Sequence, residues 1–402
     1  MASARESASG TTPSWAEGIA ELQMPIPREE MEGRRDRIVE RMARDGIDAV
    51  VFTTPQNLVY LTANQAGGRA AGNRLAMSSN GEHRFILREI DRGWEGVWKD
   101  QNWVDNWVSY PDREKTNEVI ARELKEICPG GIRRLGLEID RKSITYEDIQ
   151  ALVRLTGAEE VVSCSYLVED MRVVKSEAEL ALMRNAGKIS CAASDAIVDA
   201  LRNGASDVEA AMAAQSVIYA SGGQHPPQDP YVFSGPGGET GHAPWFRVRA
   251  AEGELTTWFI SGVDHHYACP IERTAIKGRD LYGAQPAIDA VAAAVEAVRA
   301  NIRPGMTSHD AYMYAYNAYD ERGYAKYFMN HAAYSLGIYW PEFELFRLRG
   351  NDQRVVREGM AFHLVPLLVI PGLGTFCSSR SIVVREDGGE LLNDYPAKVG
   401  PV

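Results

Sequence analysis

LTTWFISGVDHHYACPIERTAIKG, residues 255–278, reads as two apolar strands, Leu255–Val263 and Tyr267–Lys277, turned at Asp264-His265-His266. Short runs rich in β-branched and aromatic residues around a polar bend are a strand–turn–strand signal. Glu272 breaks the pattern. It is a carboxylate on an otherwise apolar strand, beside Cys269, Pro270 and Ile271, so burial costs desolvation unless it finds a partner. Substrate or proton handling is one role for it, and a salt bridge to an arginine is the bland alternative. Arg273 is a poor partner, because strand neighbours point to opposite faces. The adjacent histidines could bind a metal, but a solvated turn is the simpler reading.

The 402 residues suffice for two or three domains, and 45% hydrophobic content can build a sizeable core. A net charge of −12 and a pI near 5.3 argue against a nucleic-acid or anionic-membrane surface. Five scattered cysteines with no CxxC spacing suggest neither a disulfide framework nor a structural zinc site. There is no apolar run of transmembrane length and no signal-peptide core, so cytoplasm is the expected location.

The segment 1–24 is expected to be flexible. Arg28 to Asp45 has the spacing of an amphipathic helix, with Met31, Ile38 and Met42 on one side and Gly46 as its stop. Ile47 to Thr53 reads as a buried strand, and strand/helix alternation continues through Arg84–Ile90 and Arg134–Glu138. This makes 25–167 an α/β domain. Residues 168–402 read as an α+β domain. Its first helix carries a capping-box pair, Ser176 and Glu179, and further helices are expected over 184–202, 206–221, 283–302 and 308–322. Besides the hairpin, strands are expected at Met360–Val369 and Ile382–Val384.

The Met171–Ala186 string and the hairpin ending in Arg273-Thr274 closely resemble the pita-bread superfamily of methionine aminopeptidase, prolidase, aminopeptidase P, creatinase and ectoine hydrolase. The likeness covers nearly all of residues 28–395. It implies a pita-bread C-terminal domain, a creatinase-like N-terminal domain and a homodimer. In the metallopeptidases of that group two Asp, one His and two Glu hold two metal ions. Those positions fall here on Phe259, Pro270, His331, Val365 and a site near Ser379. A lone histidine makes no dinuclear site, so the expectation is no metal and no other cofactor.

The resemblance to creatinase, a metal-free hydrolase, implies two catalytic residues. His242 lies in a Ser234…His242-Ala-Pro244 loop of creatinase-like spacing, and imidazole suits proton shuttling near neutral pH. Glu272 stands where creatinase grips its guanidinium. The bland reading of His242 is a loop residue capping a carbonyl. Tyr267 to Thr274, Gly359 to His363 and Ser221 to Gly223 look more like ectoine hydrolase, although the hairpin acid of that branch falls on Phe259. Phe259, His331 and Val365 are expected to line the substrate pocket, with Glu342 as an acidic wall, Arg380 on a substrate carboxylate, and Arg74 (or Arg69) supplied by a partner's N-terminal domain. His363 reads as a satisfied core histidine. The Gly235–Gly241 loop is no P-loop, since no Gly-Lys-Ser/Thr follows.

The function expected is metal-independent hydrolysis of a C–N bond in a small polar amidine, guanidine or cyclic amide-like molecule. A non-catalytic binding protein on a degenerate peptidase fold is the alternative, as is a lyase or cyclase of specialised metabolism. An ordered cluster of His242, Glu272, His331 and Arg380 would favour the enzyme. A pocket filled by Phe259, Val365 and Leu367 would favour the binder.

Overall fold

Helix α1 (Arg28–Asp45) buries Met31, Ile38 and Met42, and Gly46 ends it with φ 65°, a left-handed conformation that glycine takes at no steric cost. The computed structural model of the chain describes residues 23–63, 72–98, 102–235, 241–243 and 245–402. The segment expected to be flexible lies outside the described residues up to residue 22, as does Arg69.

The chain divides into two compact units after Val168. In the first, β1 (Ala49–Phe52) is wholly buried, and Pro55 opens α2 (Pro55–Thr62), where its missing N–H costs nothing. The carboxylate of Glu138 accepts the Thr53 and Thr54 amides, both at 2.5 Å, and so satisfies donors that the turn into α2 leaves free. Next come β2 (Arg74–Ser78), β3 (His83–Arg88), α3 (Gly93–Trp98), β4 (Trp107–Tyr110), α4 (Thr116–Ile127), β5 (Arg134–Leu137), α5 (Tyr146–Thr156) and β6 (Glu160–Ser163). They form one mixed sheet of order β4-β3-β2-β1-β5-β6, with α4 and α5 packed on it through Val119, Leu124 and Leu152.

Helix α6 (Tyr166–Arg172) leads to α7 (Glu177–Arg202). The Ser176–Glu179 capping box forms in both directions: the Glu179 amide donates to Ser176 Oγ at 3.2 Å, and the Ser176 amide donates to the Glu179 carboxylate at 2.9 Å. Helix α8 (Asp207–Ala220) and strands β7 (Tyr231–Ser234), β8 (Leu255–Asp264) and β9 (Tyr267–Ile276) follow. The opening stretch is therefore the expected hairpin, paired without slippage from Leu255↔Ile276 to Asp264↔Tyr267. Its two turn residues, His265 and His266, both have positive φ, the geometry that matches the twist of a two-residue hairpin. They are half-buried. His265 Nδ1 meets Asp264 at 2.5 Å, and the His266 amide donates to Gln224.

Helices α9 (Gln285–Asn301) and α10 (Ser308–Asp320) precede β10 (Ala333–Gly337), β11 (Tyr339–Leu348), β12 (Ala361–Leu364), β13 (Leu368–Ile370), β14 (Gly374–Phe376), β15 (Arg380–Arg385) and β16 (Gly388–Leu391). The single strand expected over Met360–Val369 is two strands. The break falls at Val365-Pro366, where proline has no N–H for a ladder. The β10–β11 pair is not among the strands read from the sequence.

Helices α7 and α8 cover the β7-β8-β9 sheet through Ile189, Ala193 and Ile197 against Trp258, Ile260 and Ile271. Helices α9 and α10 cover the β11-β10-β12-β15-β16 sheet, with Val291 and Val295 among Phe362, Leu364 and Ile382. Gly262 allows α7 to lie directly on β8, because a Cβ there would meet the Ala186 carbonyl at 2.3 Å. The two sheets meet where Ser379 Oγ accepts the Glu272 amide and the Ser379 amide donates to the Glu272 carbonyl. With helices on one face of antiparallel sheets, the unit is α+β, as expected. No helix among the described residues is long and apolar enough to cross a membrane.

Candidate active site

Residues directly opposed on neighbouring strands share a face, so register decides what meets across a sheet. Tyr231 on β7 opposes Phe259 on β8, and Phe259 opposes Glu272 on β9. Phe259 and Glu272 face a cavity of about 330 Å³, also lined by His242, Asn330, His331 and Val365, and by Tyr334, Trp340 and Phe343 of the β10–β11 pair. The next row, Trp258 and Arg273, faces α7 and α8.

Arg273 sits on that helix side. Its guanidinium donates to the carbonyls of Glu272, Ser379, Tyr395 and Pro396, not to the Glu272 carboxylate.

Glu272 is 4% exposed. Burial pushes its carboxyl up to about 8, against smaller opposing effects from the Cys377 thiol and Arg273. Its Oε1 lies 3.9 Å from His363 Nδ1, and its Oε2 has no partner. At neutral pH the group is therefore mostly a protonated acid.

Behind it, Tyr334 ties three rings together. The Trp340 indole N–H donates to the Tyr334 hydroxyl at 2.5 Å, and that hydroxyl meets His363 Nδ1 at 2.7 Å. Burial drives the His363 pKa well below its usual value, helped by Arg273, and drives that of Tyr334 well up. His363 is thus half-satisfied: Nδ1 is paired, whereas Nε2 has no partner.

On the opposite wall, burial lowers the His331 pKa to about 4, with Arg347 adding to the effect, so it is a neutral imidazole. Its ring stands 5.5 Å from Phe343 and 5.3 Å from Tyr334. His242 stands edge-on to Phe259 with centroids 6.2 Å apart. Pro244 and residues 236–240 of the His242 loop lie outside the described residues.

Of the residues singled out in the sequence, His242, Phe259, Glu272, His331 and Val365 come together in this cavity. Two others, Glu342 and Arg380, lie elsewhere. Glu342 is not an acidic wall. Its neighbours Pro341 and Phe343 line the cavity, and alternation turns Glu342 to the other face, where it pairs with Arg172 and lies 3.8 Å from Lys175. Arg380 opposes Leu364, which belongs to the core under α9 and α10, whereas His363 points the other way. The Arg380 guanidinium donates to the Tyr395 carbonyl. Arg74 lies on β2 of the first unit, half-buried, and donates to the Asn73 carbonyl at 2.8 Å.

Tyr334, Trp340, Phe343, Asn330 and Gln228 also line the cavity and are not among the residues that the sequence singles out. The run of strand formers from Tyr334 to Trp340 is a usable signal for β10 and β11, but not for the face they present.

Of the five positions that the resemblance assigns to metal, only His331 carries a metal-donor side chain. Phe259 and Val365 are cavity walls, and the Ser379 hydroxyl is taken by the Glu272 amide. Among the described residues no group of three or more His, Cys, Asp and Glu could hold a metal ion. These donors do not fit a divalent pair.

The two units, the antiparallel hairpin and the cavity at its face define a creatinase/prolidase-like architecture, and the chain belongs to metallopeptidase family M24. That family's profile matches residues 181–386, and the creatinase/prolidase N-terminal domain profile matches 34–174. The chain is 25% identical over 403 residues to the ectoine hydrolase of Halomonas elongata, covering 95% of this chain and 99% of that protein. It is 24% identical over 366 residues to an Xaa-Pro dipeptidase of Pyrococcus horikoshii, covering 90% and 97%. The crystal structure of the prolidase from that organism superposes with a TM-score of 0.79 at 23% identity, over 90% of this chain and 99% of that one. The pita-bread fold read from the hairpin is therefore this chain's fold, and its relatives are hydrolases.

Proposed function

We propose that this protein is a metal-independent hydrolase of a C–N bond in a small molecule bound in the Glu272 cavity. One observation carries the reading: a fully buried carboxyl group, lacking a partner on Oε2, faces a cavity that also holds the imidazole of His242. An unsatisfied buried polar atom costs about 1–3 kcal/mol, and strongly perturbed groups in clefts concentrate at functional sites. In the proposed step His242 takes a proton from water as the water oxygen bonds to the substrate carbon. The C–N bond then breaks, and the same proton goes to the departing nitrogen. The net change is addition of one water across the bond. Glu272 holds the cationic end of the substrate. Working as a homodimer, as the likeness to creatinase implies, is part of this proposal.

The test is LC–MS turnover by purified protein with chelator present, offered creatine, guanidinoacetate, ectoine, hydroxyectoine and Xaa-Pro dipeptides. Turnover that survives the chelator and is lost in His242→Ala supports the proposal. Full turnover by His242→Ala overturns the mechanism. Activity that needs added metal overturns metal independence.

A binding role without turnover draws on a different observation, that Phe259, Val365 and Leu367 all line the cavity. Against it, these residues leave about 330 Å³ open, and His242, Glu272 and His331 share that space. Arg380 is absent from the cluster.

A further inference from the structure

Three features of the cavity bear on what it takes, and this inference rests on the hydrolase reading only for the site, not for the chemistry. Four aromatic rings line it, Phe259, Tyr334, Trp340 and Phe343, with Pro341, Val365 and Leu367 adding to the apolar surface. The space of about 330 Å³ exceeds the roughly 150 Å³ known to hold a benzene ring. The charge inventory is lopsided. Glu272 is the single carboxyl among the described lining residues, and no lysine or arginine is among them. His331 adds no positive charge, being buried beside Arg347.

A zwitterionic metabolite would bring a carboxylate into this space and find no cation to meet it. An uncharged ligand would meet Glu272 only as a neutral acid and leave its ionised form without a counter-charge. A small acyclic cation would leave the aromatic walls facing water. A flat cation satisfies all three conditions, because ring faces attract cations, offset and edge-to-face ring contacts add to apolar burial, and the carboxylate supplies the opposing charge. Asn330 Oδ1, buried and unpartnered at the rim of the same cavity, offers a further acceptor to N–H groups. No lysine or arginine among the described lining residues is there to receive an anion.

We propose that the cavity selects a planar, ring-bearing cation without a carboxylate, an aryl or heteroaryl amidine or guanidine, held between Phe259 and Phe343 with its charged nitrogen group on Glu272.

The probe is benzamidine, titrated calorimetrically into the unaltered protein beside three comparators. Cyclohexanecarboxamidine keeps the charge and loses the aromatic plane, benzamide keeps the plane and loses the charge, and 4-amidinobenzoate adds a carboxylate. Benzamidine is expected to bind at least about fivefold tighter than each. A smaller preference over any one of them overturns the proposal, as does no benzamidine binding at millimolar concentration. Phe259→Leu should weaken benzamidine about tenfold, and Glu272→Gln should bring it down to the level of benzamide. Should either variant fail to fold, the four-ligand comparison still decides. Turnover of an acyclic zwitterion without benzamidine binding would remove this inference and leave the hydrolase. Selective benzamidine binding by a protein that hydrolyses nothing would do the reverse.

Discussion

Replacing Glu272 by glutamine should change how stability depends on pH, by an amount that follows from where the carboxyl sits. The free carboxyl titrates near 4.5 and the buried one near 8. Because the folded value is raised, the native state holds the proton more tightly. The stabilising contribution is complete below pH 4.5 and is lost as pH rises through about 8. At 1.36 kcal/mol per unit the full loss is about 5 kcal/mol, and about 3 kcal/mol of it falls between pH 6 and pH 9. Glu272→Gln has the same shape and cannot ionise. Urea unfolding of both proteins at pH 6 and pH 9 should therefore show the variant gaining about 3 kcal/mol relative to the parent as pH rises. Groups titrating alike in both proteins cancel in this difference. A gap constant to within about 0.5 kcal/mol would mean that Glu272 is solvated or paired in solution, and the reading of the cavity would fall with it.

Benzamidine binding should tighten from pH 6 to pH 8, because the cation needs Glu272 ionised. The groups around it are His363, Tyr334 and Cys377, with His242 and His331 in the same cavity and Arg273 on the opposite face; His363 and Tyr334 stay neutral over this range, the dependence should vanish in Glu272→Gln, and a pH-independent affinity of the parent would contradict the assignment. Arg172→Met should cost about 3 kcal/mol in a melt, since it strips a fully buried Glu342 of its closer ion-pair partner and leaves only Lys175 at 3.8 Å. It should leave benzamidine affinity within about twofold, because Glu342 faces away from the cavity. Gly262→Ala should destabilise the fold by about 1–3 kcal/mol in urea, as its Cβ would strike the Ala186 carbonyl and push α7 off β8. Ser176→Ala should cost about 1 kcal/mol by the same measure, through loss of the capping box.

Local chemistry was readable from the chain alone. The capping pair Ser176–Glu179, the stop at Gly46 and the two strands around Asp264-His265-His266 all depend on residue type and short spacing. Alternation also excluded Arg273 as a partner for Glu272. Alternation gives parity, however, and not direction. It separates Glu342 from Phe343 and His363 from Leu364 without saying which of each pair meets the cavity. That choice rests on pairing across the sheet, where Phe259 opposes Glu272 and Arg380 opposes Leu364. The same long-range pairing brings Tyr334, Trp340 and Phe343 up to a carboxyl more than sixty residues earlier in the chain. The sequence by itself determined the fold. Only the tertiary structure decided that Glu272 is buried without a charge partner among rings, because desolvation depends on every neighbour that packs around a group and not on those beside it in the chain.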